Sequence, residues 1–485
     1  MRWYAFPIVF SLLAALAASR AGETAARSLQ PSDSPIRLHP ENPHYFQFRG
    51  RPAILITSTE HYGAVLNGDF DPIPYLDELR ARGFNLTRTF SGTYREVPGA
   101  FKIDKNTLAP TPEKYIGPWP RTGIPGAADG RNKFDLGRWN AAYFERLKAF
   151  VAAASKRGIV VEYTLFCPFY EENLWAVNPM NARNNVNGIG NIPRNEAYTG
   201  KHRDLQDVQE AFVRKAVREL NGFDNVYYEI CNEPYFGGVT LDWQARIASV
   251  IGEAENDLPR RHLIAQNIAN EKARIERPNP AVSIFNFHYA APPATVGMNY
   301  GLGKVIGDDE TGFRGVHDRP YRIEAWDFLI AGGAVFDHLD YSFTIDHEDG
   351  TARVTAPTPG GGGPGIRAQL QVLKRFIEGY DFVRMAPDST VIARVVPGST
   401  SARALSEPGR AYAIYAHGSG KFTLSLRLPA GRYRAEWLDP RSGRIEASHQ
   451  IEARGAGVEL ASPAYEDDVA LSVRRIEEAP PRGES

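Results

Sequence analysis

Cysteine is nearly absent: Cys167 and Cys231 are the only two in 485 residues, which excludes a disulfide-built scaffold. Each falls at the end of a predicted strand. An exported protein invites a bridge between such a pair, but a chain this long buries a core that needs none, so two buried thiols are expected. An excess of charge of one sign is lacking as well. With 56 Lys and Arg against 57 Asp and Glu, the formal charge is -1, which gives no footprint for nucleic acid or anionic lipid. No His-Glu-x-x-His, Cys-x-x-Cys or glycine-rich phosphate loop occurs, and Asp346-His-Glu-Asp349 reads as a polar loop. No metal site and no obligatory cofactor is therefore expected. Apolar runs long enough to cross a bilayer are missing beyond the first residues.

Those first residues stand apart. Arg2 precedes an apolar run from Trp3 to Ala18, followed by small residues and Ala21-Gly22, the pattern of a secretory signal peptide cleaved near Ala21. The run is short for a span and ends without a basic stop. The expectation is a signal peptide over 1–21, a flexible lead-in over 22–35, and a secreted or periplasmic protein with no membrane contact after cleavage. The oligomeric state is left open by the sequence.

What is present is a repeated unit. From Ala53 to about Gly379, short β-branched runs alternate with amphipathic helical patterns, as βα units on a parallel sheet require. Strands are expected at 53–58, 84–90, 159–166, 225–231, 262–267, 282–288, 304–307 and 333–339. Between them, Leu205, Val208, Phe212, Val213, Ala216, Val217 and Leu220 recur at three- and four-residue steps and form one apolar stripe. Phe144, Leu147, Phe150, Val151 and Ala154 form a second, stopped by Gly158. Ile366, Leu370, Leu373, Phe376 and Ile377 form a third. Pro292 and Pro293 argue for a loop between the sixth and seventh strands, so seven helices are expected.

An open doubly wound sheet would carry a glycine-rich turn after its first strand, where this chain has Thr57-Ser-Thr-Glu60-His61-Tyr62. The expected fold class is therefore α/β, a (β/α)8 TIM barrel over 36–380. The Gly/Pro run 357–365 reads as a surface loop inside the last unit. Beyond Tyr380, alternating strands separated by Pro429-Ala-Gly and Pro440-Arg-Ser-Gly predict a small C-terminal antiparallel β-sandwich over 381–475, with a disordered tail over 476–485.

The fourth strand runs Val226-Tyr-Tyr-Glu-Ile-Cys-Asn232-Glu233-Pro234, delivering a carboxyl group to the end where barrel enzymes keep their chemistry. The seventh ends in Gly307-Asp-Asp-Glu310. Glycoside hydrolysis needs two carboxyl groups facing one sugar, one to protonate the leaving oxygen and one to attack carbon or activate water. On these residues the chain resembles the clan A glycoside hydrolases, family 5 (cellulase-type) above all, over roughly 46–380.

The resemblance implies that Glu233 is the acid/base, Glu310 the nucleophile, and the reaction a retaining double displacement with carboxyls about 5 Å apart. Gly83-Phe-Asn85-Leu-Thr-Arg88 resembles the family's second strand, which implies that Arg88 favours the charged form of the nucleophile. Asn232 resembles the Asn that binds the sugar 2-hydroxyl. Phe287-His288-Tyr289 resembles the sixth strand's His-x-Tyr, with the spacer missing. The region around Tyr433-Arg-Ala-Glu-Trp437 resembles the collagen-binding-type sandwich that follows many related secreted barrels, a likeness of fold only.

Competing readings accompany these. Strand alternation puts Asp308 on the face of Glu310, making it a rival nucleophile. Arg88 has an alternative partner in Glu229, and the two pairings are compatible. Glu60, His61 and Tyr62 after the first strand, and Glu171, Glu172 and Trp175 after the third, are candidate sugar contacts, Trp175 by stacking; a solvated rim is the competing reading. The expected function is a secreted retaining hydrolase of a β-linked poly- or oligosaccharide. The alternative is a non-catalytic carbohydrate-binding or adhesion protein on a barrel scaffold. A hydrolase of another bond would need a Ser or metal nucleophile that the pattern does not offer.

Overall fold

A computed structural model describes residues 34–397, 400–455 and 457–477. The expected signal peptide, nearly all of the lead-in and the tail from residue 478 lie outside the described residues. Among them, no helix is long and apolar enough to cross a membrane.

Eight parallel strands form one sheet: Leu55–Thr59, Leu86–Phe90, Val160–Thr164, Val226–Glu229, Ile264–Asn270, Ile284–His288, Val305–Thr311 and Val335–Leu339, the first to eighth barrel strands. Seven of the eight are buried along their whole length, as parallel strands covered on both faces must be. The ladder runs from the first strand through the eighth, seventh and so on down to the second. The seam between first and second is closed by a side chain: Asn85 donates through Nδ2 to Ile54 O at 2.8 Å, and its Oδ1 accepts from Ile56 N at 3.1 Å. The protein is thus an α/β TIM barrel, with its strand C-termini at one mouth.

The outer layer follows the apolar stripes. Helix Arg203–Leu220 buries Leu205, Phe212, Val213, Ala216, Val217 and Leu220, and Ala141–Lys156 and Pro364–Glu378 bury theirs. The sequence misplaces the missing helix. Pro293 caps a short helix, Ala294–Asn299, between the sixth and seventh strands, because a proline ahead of a first turn is tolerated where one inside it is not. The helix-free connection lies instead between the fifth and sixth strands, across 271–283. The Gly/Pro run lies at the surface at its ends, where Pro357, Pro364 and Gly365 are exposed, but not in its middle. Gly360, Gly361 and Gly363 are buried, and a Cβ on Gly360 would lie 1.6 Å from Gly312 O. Glycine is used there so that two backbones can touch above the seventh strand.

The C-terminal region is a sandwich of a six-stranded antiparallel sheet and a three-stranded one, closed around Phe422, Leu424, Tyr433, Trp437 and Leu471. It docks on helix Asp318–Ile330 of the barrel. Trp326 stacks on Tyr415 at 5.4 Å, and the Arg322 guanidinium forks onto Asp468, at 2.9 and 2.8 Å, with both side chains almost fully buried. Ile476, assigned to the tail by sequence, still donates its N–H to Arg432 O at 2.8 Å. Removing one partner of a buried ion pair strands the other, so Asp468→Ala is expected to lower the unfolding free energy by about 3 kcal/mol in denaturant titration. A loss under about 1 kcal/mol would show that the pair does not hold the junction.

Candidate active site

At the strand C-termini lies a cavity of about 490 Å³, lined by both glutamates together with His61, Asn232 and Tyr289 among others. Four of the residues that ring it leave their strands in the left-handed region: Tyr62 at φ 57°, Glu233 at φ 36°, Glu271 at φ 62° and Tyr289 at φ 55°. Each costs on the order of 1–3 kcal/mol, and such strain gathers where side chains must be aimed.

Arg88 is the hub. It is fully buried, and its Nη2 donates to Glu229 Oε2 at 2.5 Å and to Asn232 Oδ1 at 2.7 Å, while Nη1 donates to Glu310 Oε2 at 3.2 Å. The pairings with Glu229 and Glu310 hold together. Glu310 Oε1 accepts from Tyr289 OH at 2.7 Å. Tyr289 follows His288 directly, and neighbours on a strand face opposite ways. Its left-handed turn brings it back to the mouth, which makes good the missing spacer of the sequence motif.

Glu233 is held by three groups: Tyr170 OH donates to Oε2 at 2.6 Å, Tyr235 OH to Oε1 at 3.1 Å, and His288 Nδ1 stands 3.2 Å from Oε1. His288 also lies 3.6 Å from Glu310 Oε1 and, through Nε2, 3.3 Å from Asp309 Oδ1. One oxygen each of Glu233 and Glu310 and a ring nitrogen of His288 all lie within 4.8 Å of one another.

The charges settle accordingly. Burial opposes a charge on His288, but Glu310 and Asp309 outweigh it and raise the imidazole well above its ordinary 6.5. Burial alone would raise the Glu233 carboxyl; the hydrogen bond and charge of His288 and the two phenols hold it below its ordinary value instead. A ring titrating above 6.5 contributes its full stability below about 6.5 and loses it as pH rises through the folded value. The expected result is that the His288 ring resonances, assigned by difference from His288→Gln, are those of an imidazolium at pH 7. A neutral ring at pH 7 would contradict this arrangement.

Several expectations are corrected. Asp308 is no rival: the pairing jumps from Phe287↔Asp308 to His288↔Glu310, and this bulge breaks the alternation. Asp308 accepts from Ala290 N at 3.3 Å, on the side of helix residue Glu324, while Asp309 turns into the barrel, where Asn286 Nδ2 donates to it at 2.8 Å. Glu60 is buried and caps its own loop, accepting from Gly63 N and Ala64 N at 3.0 Å each; burial pushes its carboxyl up to about 7. Trp175 offers no stacking face. It is 3% exposed, packs on Phe169 and donates Nε1 to Ile192 O at 3.1 Å. Glu171 and Glu172 are exposed at the rim.

His61 does line the cavity, with Tyr62. Cys167 and Cys231 are free, buried thiols, and Asn232 Nδ2 donates to Cys167 Sγ at 3.5 Å and to Tyr170 OH at 2.9 Å. Sequence reasoning missed Tyr170, Tyr235, Asp309 and Glu96. Only Tyr235, next to Asn-Glu-Pro, carried a usable signal. Both Glu233–His288–Glu310 and Glu162–Glu229–Asp309 have the spacing of a metal cage, and Arg88 already pairs with Glu229 and Asp309 of the second.

A family model described as a domain of unknown function, DUF6298, matches residues 102–244, the span that ends just past Asn232 and Glu233. No curated protein matches the sequence. Among solved structures, a glycoside hydrolase family 5 protein from Bacteroides vulgatus superposes with a TM-score of 0.63 at 14% identity, covering 91% of this chain and 94% of its own. Another protein of that organism, described as a candidate glycoside hydrolase, gives 0.65 at 14% identity, covering 92% of this chain and 83% of its own. A third structure, described as a glycoside hydrolase, gives 0.61 at 14% identity, over 91% and 97%. The likeness extends over barrel and sandwich together, and it is one of fold.

Proposed function

We propose that this protein is an exported retaining glycoside hydrolase acting on a β-linked poly- or oligosaccharide, with Glu233 as acid/base and Glu310 as nucleophile. The observation that carries the reading is the pair itself: carboxylate oxygens from the fourth and seventh strands lie within 4.8 Å of each other on one cavity. Retaining glycosidases separate their carboxyls by about 5 Å, whereas inverting ones leave room for a water. Unlike the buried Glu162, Glu229 and Asp309 beneath them, these two acids face the cavity.

In the first half-reaction Glu310 attacks the anomeric carbon, and Glu233 protonates the departing oxygen. The result is a glycosyl ester on Glu310 and a free leaving group. In the second, Glu233 takes a proton from water, which cleaves the ester with net retention. Arg88 and Tyr289 fix the Glu310 oxygens by hydrogen bonds at 3.2 and 2.7 Å. The Glu233–His288 contact supplies the proton: the imidazolium gives it to Oε1 when bound sugar excludes water and the field of Glu310 is neutralised by bond formation.

The test is to incubate the protein with aryl β-glycosides and β-linked oligosaccharides and follow the first-formed anomer by NMR. Initial β product is expected. Initial α product, or no turnover across the panel, would remove the reading.

A further inference from the structure

The cavity is not symmetrical. Across the mouth, Glu310 stands with the seventh, eighth and first strands, and Glu233 with the fourth and fifth. Under the proposed chemistry the anomeric carbon sits at Glu310 and the departing oxygen at Glu233. The glycone therefore extends toward the eighth, first and second strands, and the leaving group toward the fourth and fifth.

The glycone side is walled. Loop 60–71 after the first strand and loop 91–140 after the second are pinned to each other, by Asn67 Nδ2 on Thr107 O at 2.9 Å, Gly68 N on Lys114 O at 2.8 Å and Ile116 N on Leu66 O at 2.8 Å. The loops approach so closely that a Cβ on Gly63 would lie 2.2 Å from the Thr107 backbone. An ion pair between Lys105 and Asp346 ties the second loop to the one after the eighth strand. On the opposite side the loop after the fourth strand packs on the one after the third, where a Cβ on Gly238 would lie 2.2 Å from Asn195 O, and beyond it the cavity edge is exposed. The connection after the fifth strand has no helix, Glu271 at the cavity edge is exposed, and Tyr235 and Phe236 stand 37% and 43% exposed.

The wall carries a third carboxylate. Glu96 lines the cavity at 4% exposure. His61 Nε2 stands 3.3 Å from its Oε2, Tyr94 OH donates to Oε1 at 3.3 Å, and Asn106 Nδ2 donates to Oε2. His61 Nδ1 is buried without a partner among the described residues. No step of the proposed reaction uses either group. A charged acceptor beside an unpaired ring nitrogen, both on a cavity wall, matches adjacent sugar hydroxyls, which bond to a carboxylate more strongly than to a neutral group.

Resting on that reading of Glu233 and Glu310, we infer that the enzyme is exo-acting: the wall admits one non-reducing terminal sugar, and Glu96 with His61 reads its hydroxyls, while the chain leaves through the open side at Tyr235 and Phe236. Glu96 and His61 are then specificity determinants rather than parts of the acid/base machinery.

Two measurements test this. Wild-type enzyme is given reducing-end-labelled β-1,4-linked gluco-, manno- and xylo-oligosaccharides, from tri- to hexasaccharide. Free monosaccharide and a labelled product one unit shorter are expected from the earliest times. A ladder of internal cleavage products overturns the exo inference but leaves the hydrolase standing, whereas no turnover of any substrate overturns both. In the second measurement, wild type and Glu96→Gln are compared on the 4-nitrophenyl β-glycoside that is turned over and on its 3- and 4-deoxy analogues. Wild type is expected to prefer the hydroxylated substrate by roughly 10- to 100-fold in kcat/KM, a preference that collapses in the variant. Loss of folding would lower all rates together and leave the ratio unmoved. An unchanged preference overturns the role of Glu96.

Discussion

Glu310→Gln is expected to lower kcat by about 10^5-fold, measured on an aryl β-glycoside, with little change in the melting temperature. The substitution keeps shape and the Tyr289 and Arg88 neighbours but removes the nucleophile, and among the described residues neither neighbouring acid stands in its place. Asp308 is turned toward the helix layer, and Asp309 is engaged by Asn286 and His288 inside the barrel. A Glu310→Gly variant with added azide gives a sharper result. The small anion enters where the carboxylate stood, so the glycosyl azide formed should have inverted configuration. A retained azide, or more than a hundredth of wild-type activity in Glu310→Gln, would place the nucleophile elsewhere.

Much of this arrangement is legible before any coordinates. All eight strands are readable because a parallel strand buried on both faces must be a short apolar run, and that signal is local. The pairing of Arg88 with Glu310 is what the resemblance of its strand to the family's second strand implies, and Glu229 is the competing partner; both contacts are present. What fails is what depends on a single residue's backbone or on packing between distant segments. The bulge at Asp309 swaps the faces of the acidic run. The left-handed turn of Tyr289 rescues a motif that lacks its spacer. Trp175 and Glu60 are drawn inward by neighbours, Phe169 and the loop N–H groups, that no periodicity reveals. The buried glycine run is the same case: composition marks a loop, but only its contact with Gly312 says why glycine is there.

Glu233→Gln is expected to separate the two half-reactions. For a sugar or alcohol leaving group, loss of the general acid should cost about 10^2- to 10^4-fold in kcat/KM. For a dinitrophenyl glycoside, whose departing oxygen needs no proton, the first half-reaction should run near the wild-type rate. The glycosyl ester should then accumulate as a burst, because no base remains to activate water. Azide should relieve that block and give a glycosyl azide of retained configuration, opposite to the product of Glu310→Gly. The structure adds a second signature. Tyr170, Tyr235 and His288 all point hydrogen-bonding groups at this carboxylate, and His288 is charged largely by the acids around it. Neutralising Glu233 removes one of them, so the imidazole should titrate at lower pH in Glu233→Gln than in wild type. Equal losses on good and poor leaving groups, with an unshifted His288, would mean that Glu233 positions the substrate without exchanging its proton.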